Sequence, residues 1–265
     1  MPDRTQHPSH RHRTFDELVS EAAAVSVDGW DFSWLDGRAT EERPPWGYAR
    51  LVADRMSRAR AALDIETGGG EVLDSVPRLP RLTAATESWP PNVARATARL
   101  SPRGAVVVAT SEGAPLPFAD AAFDLVVSRH PVRARWGEIA RVLAPGGTYL
   151  SQEVGPASVF ELVEYFLGPQ SAEVRARRGP AAARAAAEAA GLEVTDLRAA
   201  ELRTEFSDIG AVVYFLRKVI WMVPGFTVER HRDRLAELHE DILRDGPFAA
   251  TTTRFLIEAR KRPAP

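Results

Sequence analysis

Carboxylates and glycines crowd the stretch Ala61 to Glu71, Ala-Ala-Leu-Asp-Ile-Glu-Thr-Gly-Gly-Gly-Glu. An apolar run ends in Asp64 and Glu66, and after Thr67 the chain turns on Gly68, Gly69 and Gly70. Glycine lets the main chain take φ > 0 and lets a ligand approach the backbone with no Cβ in the way, while a helix that follows presents free N–H groups. The chemistry this predicts is the holding of a nucleotide-like ligand at the end of a first β-strand. The plain structural alternative is a strand-to-helix turn with no ligand. Glu87 follows Asp64 by 23 positions, close to the roughly 20 at which an α/β nucleotide site sets an acid on the ribose hydroxyls. Both vicinal hydroxyls are donors, and one carboxylate accepts from both.

Spacing separates two ligand classes. The dinucleotide fingerprint G-x-G-x-x-G requires glycine at 66, 68 and 71 and meets Glu66, Gly68 and Glu71, which argues against NAD. The tighter G-x-G that wraps the amino-acid end of S-adenosylmethionine requires 66, 68 and 70 and meets Glu66, Gly68 and Gly70. Further on, Thr110-Ser111-Glu112-Gly113-Ala114 is where an adenine ring would sit, with Glu112 as acceptor for its exocyclic amine. His130 and Glu153 each follow or end an apolar run and are the candidate bases; a hydrogen-bonding histidine and a solvated glutamate are their ordinary readings. Arg129 would position an acidic acceptor or stand as a surface arginine.

These residues need a parallel sheet to bring them to one edge, and the apolar pattern supplies it. Strands are predicted at Ala61 to Ile65, Arg81 to Ala85, Ala105 to Ala109 and Phe123 to Ser128, with another starting at Thr148. The run Val106-Val107-Val108 reads as a buried parallel strand. Helices are predicted from Thr14, with Glu17 as capping-box partner, at Tyr48 to Arg60, from Trp89-Pro90-Pro91-Asn92 to Leu100, and at Trp136 to Leu143 before Ala144-Pro145-Gly146-Gly147. Strand and helix alternate, as in an α/β fold. A sixth strand is expected within 191–206 and a last one at 251–260, with a helical insertion at 208–245 whose second helix carries Leu235, Leu238, Ile242 and Leu243 on one stripe. The aromatic-rich stretch from Trp30 to Tyr48 is either a lid over a cleft or a hydrophobic cover packed on the sheet.

Composition narrows the function classes. With 34 basic and 36 acidic residues, a net charge of −2 over 265 residues gives no global footprint for nucleic acid or an anionic membrane. The absence of cysteine excludes disulfides, thiolate metal sites and a cysteine nucleophile. The polar start, with His7, His10 and His12, has no apolar signal-peptide core and reads as a disordered tail with no metal site, so a cytoplasmic location is expected. Residues 1–13 form that tail, 14–60 an N-terminal helical or lid segment, 61–155 the cofactor-binding core, and 156–265 the completion of the same domain.

Leu63-Asp64-Ile65-Glu66-Thr67-Gly68-Gly69-Gly70, Glu87, Leu116-Pro117-Phe118 with Phe123-Asp124-Leu125-Val126, and Glu138-Ile139-Ala140-Arg141-Val142-Leu143-Ala144-Pro145-Gly146-Gly147 stand in the same order as four motifs of a known family. Over about residues 48 to 155 the chain resembles the class I S-adenosylmethionine-dependent methyltransferases. The resemblance implies a Rossmann-like α/β fold, a seven-stranded and mainly parallel sheet with helices on both faces, closed by an antiparallel strand pair. It implies S-adenosyl-L-methionine as cofactor, held by Asp64, Glu66, Thr67, Gly68, Gly70, Glu87, Ser88, Glu112, Gly113 and Arg129, and a small-molecule acceptor. Glu66 departs from the pattern, replacing its first glycine, and is expected to weaken cofactor binding. The alternative is a catalytically silent methyltransferase fold that serves as a binding protein.

Overall fold

The computed structural model of the chain describes residues 13–111 and 113–263. The tail with His7, His10 and His12 lies outside the described residues, as does Glu112. In chain order the elements are α1 (Phe15–Ala24), β1 (Ala39–Glu41), α2 (Tyr48–Met56), β2 (Ala61–Ile65), α3 (Glu71–Asp74), β3 (Leu82–Glu87), α4 (Pro90–Leu100) and β4 (Val106–Ala109). They continue with β5 (Phe123–Arg129), α5 (Trp136–Val142), β6 (Leu143–Val154), α6 (Phe160–Leu167), α7 (Ala172–Arg175) and α8 (Pro180–Ala189). The chain closes with β7 (Leu192–Phe206), α9 (Ile209–Lys218), α10 (Arg232–Asp245) and β8 (Phe248–Lys261).

The strands form one sheet in the order β1-β7-β8-β6-β5-β2-β3-β4. From β6 to β4 all neighbours are parallel, whereas β8 runs antiparallel to β6 and β1 antiparallel to β7. This is the Rossmann-like α/β fold, with eight strands instead of the expected seven. The additional strand, β1, has three residues inside a stretch whose sequence reads as irregular, too short for alternation to declare itself. Strand order reverses between β2 and β5, the place where open α/β sheets leave a crevice for ligands.

Alternation along the inner strands builds two cores. Ala62, Ala85, Leu125, Val127, Leu150 and Leu256 face α2 and α4 through Val52, Met56, Ala96 and Leu100. Their sequence neighbours Leu63, Ala84, Val126, Tyr149 and Ile257 face the opposite side with Ile139 and Val142 of α5 and Ala187 of α8. Continuous apolar runs thus bury both faces of each inner strand. The outermost strand departs from that reading: Val106 is 62% exposed, so β4 is an edge strand and not a buried one. The strand expected from Thr148 begins instead at Leu143, directly after α5, and runs through Pro145-Gly146-Gly147 with a register shift opposite Phe123 and Leu125.

The chain divides into two compact units. The larger holds Arg43–Ser158, Ala172–Leu202 and the residues from Thr253 onwards, with both cores just described. The smaller holds the described residues up to Glu42 together with Val159–Ser171 and Arg203–Thr252. Its core gathers Leu18 and Ala22 of α1, Val212 and Leu216 of α9, and Leu235, Leu238 and Ile242 of α10, with Trp34 and Phe32 packed against it. The capping box of α1 forms as its sequence predicts, and Asp208 Oδ1 caps α9 by accepting from Ala211 N at 2.9 Å. Leu243, placed on the apolar stripe by spacing, points outward.

Candidate functional site

The glycine turn follows β2 with a backbone alternation invisible in composition. Glu66, Gly68 and Gly70 all have positive φ, at 55°, 63° and 83°. The site therefore requires left-handed backbone at the same three positions as the G-x-G pattern, and a non-glycine residue there costs about 1–3 kcal/mol. At Gly70 a Cβ would also come within 3.0 Å of Leu100 of α4, so this turn and helix pack backbone to side chain.

Side chains clamp the turn. Glu87, buried at the end of β3, accepts from Gly68 N at 2.8 Å through Oε2, and from Ser88 N and Trp89 N at 2.9 Å through Oε1. A carboxylate offers about four lone-pair sites, and these bonds leave about one for a ligand hydroxyl. Asp64 is buried and accepts from Thr67 Oγ1 at 2.6 Å. Burial, reinforced by the charge of Glu87, pushes the Asp64 carboxyl up to about 7. Asn92, in the first turn of α4, is buried with neither amide atom hydrogen-bonded within the described residues, a polar pair suited to a ligand. Sequence reasoning missed Asn92, although an asparagine on a helix face shared with Ala96 and Leu100 was a readable signal.

Across the crevice, β5 and β6 contribute a second set of groups. Gln152 is oriented without ambiguity: its Oε1 accepts from Trp46 Nε1 at 2.8 Å, so its Nε2 donates to His130 Nε2 at 2.9 Å. The lone pair that would make His130 a base at that nitrogen is therefore in use. Burial, with Arg254 and Arg129 nearby, holds the imidazole down at about 2 and hence neutral. Glu153 is buried, and its Oε1 accepts from Ser151 Oγ at 3.0 Å. Burial pushes it up to about 7, against the opposing effects of the Ser151 bond and Arg178. Of the other sequence-predicted residues, Arg129 is exposed at the end of β5, while Gly113 has φ 77° with open space beside it.

A small cleft lies among Glu66, Leu116, Ser128, Pro131, Ile139 and Tyr149. Glu66 Oε2 meets Val132 N at 3.4 Å, a long contact that spans from the glycine turn to the loop after β5. The Leu116 wall is set by Glu138 and Arg141 of α5. Glu138 Oε2 accepts from Leu116 N at 2.6 Å, and Arg141 donates to the carbonyls of Leu116 and Phe118 at 2.9 and 2.7 Å. Arg141 beside Glu138 holds that carboxyl down at about 2. Two of the sequence motifs are thus two sides of one clasp.

The parallel core, its reversal point and the glycine turn after β2 make this a Rossmann-like α/β fold. Residues 63–151 match the family model for the methyltransferase domain. No curated protein matches the chain significantly. Among solved structures, the YcgJ protein of Bacillus subtilis is 18% identical, with 82% of this chain and 99% of that chain covered and a TM-score of 0.58. A candidate methyltransferase of Bacillus halodurans is 20% identical over 81% of this chain and 97% of its own, with a TM-score of 0.56. The [4+2]-cyclase SpnF is 18% identical over 94% of both chains, with a TM-score of 0.52. At such identities the likeness is one of fold.

Proposed function

We propose that the protein transfers a methyl group from S-adenosyl-L-methionine to a small-molecule acceptor. The observation that carries this reading is the turn 66–70, left-handed at alternate residues and tied by Glu87 at the reversal point of the sheet. The residues fit the cofactor: Glu87 has one lone-pair site in reserve for a ribose hydroxyl, Asn92 has an orphaned amide, and the glycines let the backbone approach a ligand. When bound, the cofactor supplies an electrophilic methyl on a sulfonium. The protein's own contribution is alignment and exclusion of water, which suffice for an in-line displacement if the acceptor is already a nucleophile. Asp64 holds Thr67 and so shapes the turn, and Glu66, beside the cleft, is placed to meet an ammonium and to repel a carboxylate.

A second reading has specific support as well. Glu66 occupies a left-handed position and reaches across to Val132 N, and most of the Glu87 acceptor capacity is already spent on backbone amides. A methyltransferase fold that no longer binds its cofactor and acts as a binding protein would show these features. The fold leaves the reaction open, since SpnF shares it and is a cyclase. Calorimetry with S-adenosylmethionine and S-adenosylhomocysteine decides between them, with Glu87→Ala and NAD as controls. Micromolar binding that the substitution removes supports the enzyme; a folded wild type that binds neither supports the scaffold.

A further inference from the structure

The face of β6 that carries Tyr149, Ser151 and Glu153 holds a chain of groups for which alignment of substrate alone has no use. Ser128 of β5 pairs in register with Ser151. Its Oγ lies 2.7 Å from Tyr149 Oη and 2.9 Å from Ser151 Oγ, and Ser151 Oγ lies 3.0 Å from Glu153 Oε1. Residues 149, 151 and 153 alternate along one strand, so their side chains share a face. Ser128 and Ser151 are fully buried, Tyr149 nearly so.

Counting protons fixes the direction. An ionised Glu153 only accepts, so the single hydroxyl proton of Ser151 is committed to it. Ser151 must then accept from Ser128, and Ser128 from Tyr149. The phenol oxygen keeps a free acceptor site at the end of the chain where Tyr149 and Ser128 line the cleft beside Glu66. At the other end stands a carboxyl surrounded by Ser151, Arg178, Tyr149 and Glu66, with burial the dominant influence.

We propose that Tyr149, Ser128, Ser151 and Glu153 are a proton relay that removes the proton of a hydroxyl acceptor from the cleft. This rests on the methyltransferase reading and names the acceptor class. A neutral amine attacks a methyl without first losing a proton, whereas a hydroxyl is a poor nucleophile until its proton leaves, so a built-in relay points to O-methylation. In the step, the acceptor oxygen forms the new bond to the methyl carbon as the carbon–sulfur bond breaks, its electron pair going to sulfur. The acceptor proton passes to Tyr149 Oη, that of Tyr149 to Ser128, that of Ser128 to Ser151, and that of Ser151 to the Glu153 carboxylate. The phenol and both serines end as they began, and Glu153 ends as a neutral acid.

The test is an infrared titration of the full chain between pH 5 and 9, following the carbonyl stretch of protonated carboxyls. Glu153→Gln assigns its band against that of Asp64, which Asp64→Asn removes. The expected midpoint for Glu153 is near 7. Ser151→Ala, which removes a donor to the carboxylate, raises it by about one pH unit, and Ser151→Thr restores it. Ser128→Ala, two bonds away through Ser151, raises it by a smaller but measurable amount; Tyr149→Phe also raises it, because the phenol lies within hydrogen-bonding reach of the carboxyl. A midpoint in the ordinary glutamate range, or a midpoint unmoved by Ser128→Ala, overturns the relay, and methylation of benzylamine with none of phenol or catechol overturns the acceptor class. Calorimetry with S-adenosylhomocysteine on the same wild-type sample separates the two levels: failure to bind removes the methyltransferase reading while the titration reports on the hydrogen-bonded chain by itself.

Discussion

The two sides of the crevice hold their acids by opposite means. On the β2–β3 side, Glu87 is fixed by three backbone amides, so its position is part of the main-chain fold. On the β5–β6 side, Glu153 is fixed by a hydroxyl in a chain of hydroxyls, and its proton, not its position, is the adjustable quantity. Backbone amides cannot give up their protons at any physiological pH, whereas hydroxyls pass theirs along. On the proposed reading, one side binds and the other moves a proton.

The sharpest way to break this contrast is Glu87→Ala. Losing three bonds to a charged acceptor is expected to cost on the order of 3 kcal/mol in urea-melt stability and to weaken S-adenosylhomocysteine binding more than tenfold; an unchanged melt would show that the amides find other partners. Gly70→Ala tests the same side through the backbone. Its φ of 83° and the 3.0 Å approach to Leu100 predict a loss of about 1–3 kcal/mol in the same melt.

The other side answers to pH. The folded Glu153 carboxyl sits at about 7, above the ordinary 4.5, so the native chain retains a proton that the unfolded chain releases. The resulting stability is complete below about pH 4.5 and is lost as pH rises to about 7, by an amount on the order of 1–3 kcal/mol. Asp64, raised in the same direction, adds to the slope. Melts at pH 5, 6, 7 and 8 should therefore show falling stability, and Glu153→Gln should flatten the curve; equal slopes in the two proteins would place the effect elsewhere. The smallest change is expected from Glu66→Gly. Relief of left-handed strain, offset by the greater freedom of glycine when unfolded, leaves a gain of a few tenths to about 1 kcal/mol, together with tighter S-adenosylhomocysteine binding; weaker binding would mean that Glu66 supports the ligand.

How legible each side was in the sequence follows from the same difference. Asp64, the glycines and Glu87 sit within one local stretch and at a fixed offset from it, so spacing alone brought them together. The relay joins Ser128 to residues 149–153 through parallel pairing of β5 with β6, and a serine in an apolar strand gives no sign of its partner before register is known. Asp124 shows the same limit. Its carboxylate accepts from the amides of Arg60 and Ala61, at 3.0–3.1 Å, fastening the start of β2 to β5 with no local signal. The helix ends were readable where capping chemistry is local, as at Thr14 with Glu17. Helix α5 lies where its pattern predicts, but the start of β6 misled because Pro145-Gly146-Gly147 resembles a turn, although the strand has begun at Leu143.

Glutamate and glycine codons differ by a single base, so the left-handed Glu66 stands one point mutation from the relaxed turn that its backbone already describes. Position 66 is thus a natural dial: it shares left-handed backbone with Gly68 and Gly70, and one base exchanges a charged side chain for none. Saturating that single codon and sorting the variants by ligand affinity would read the whole range of the dial in one library.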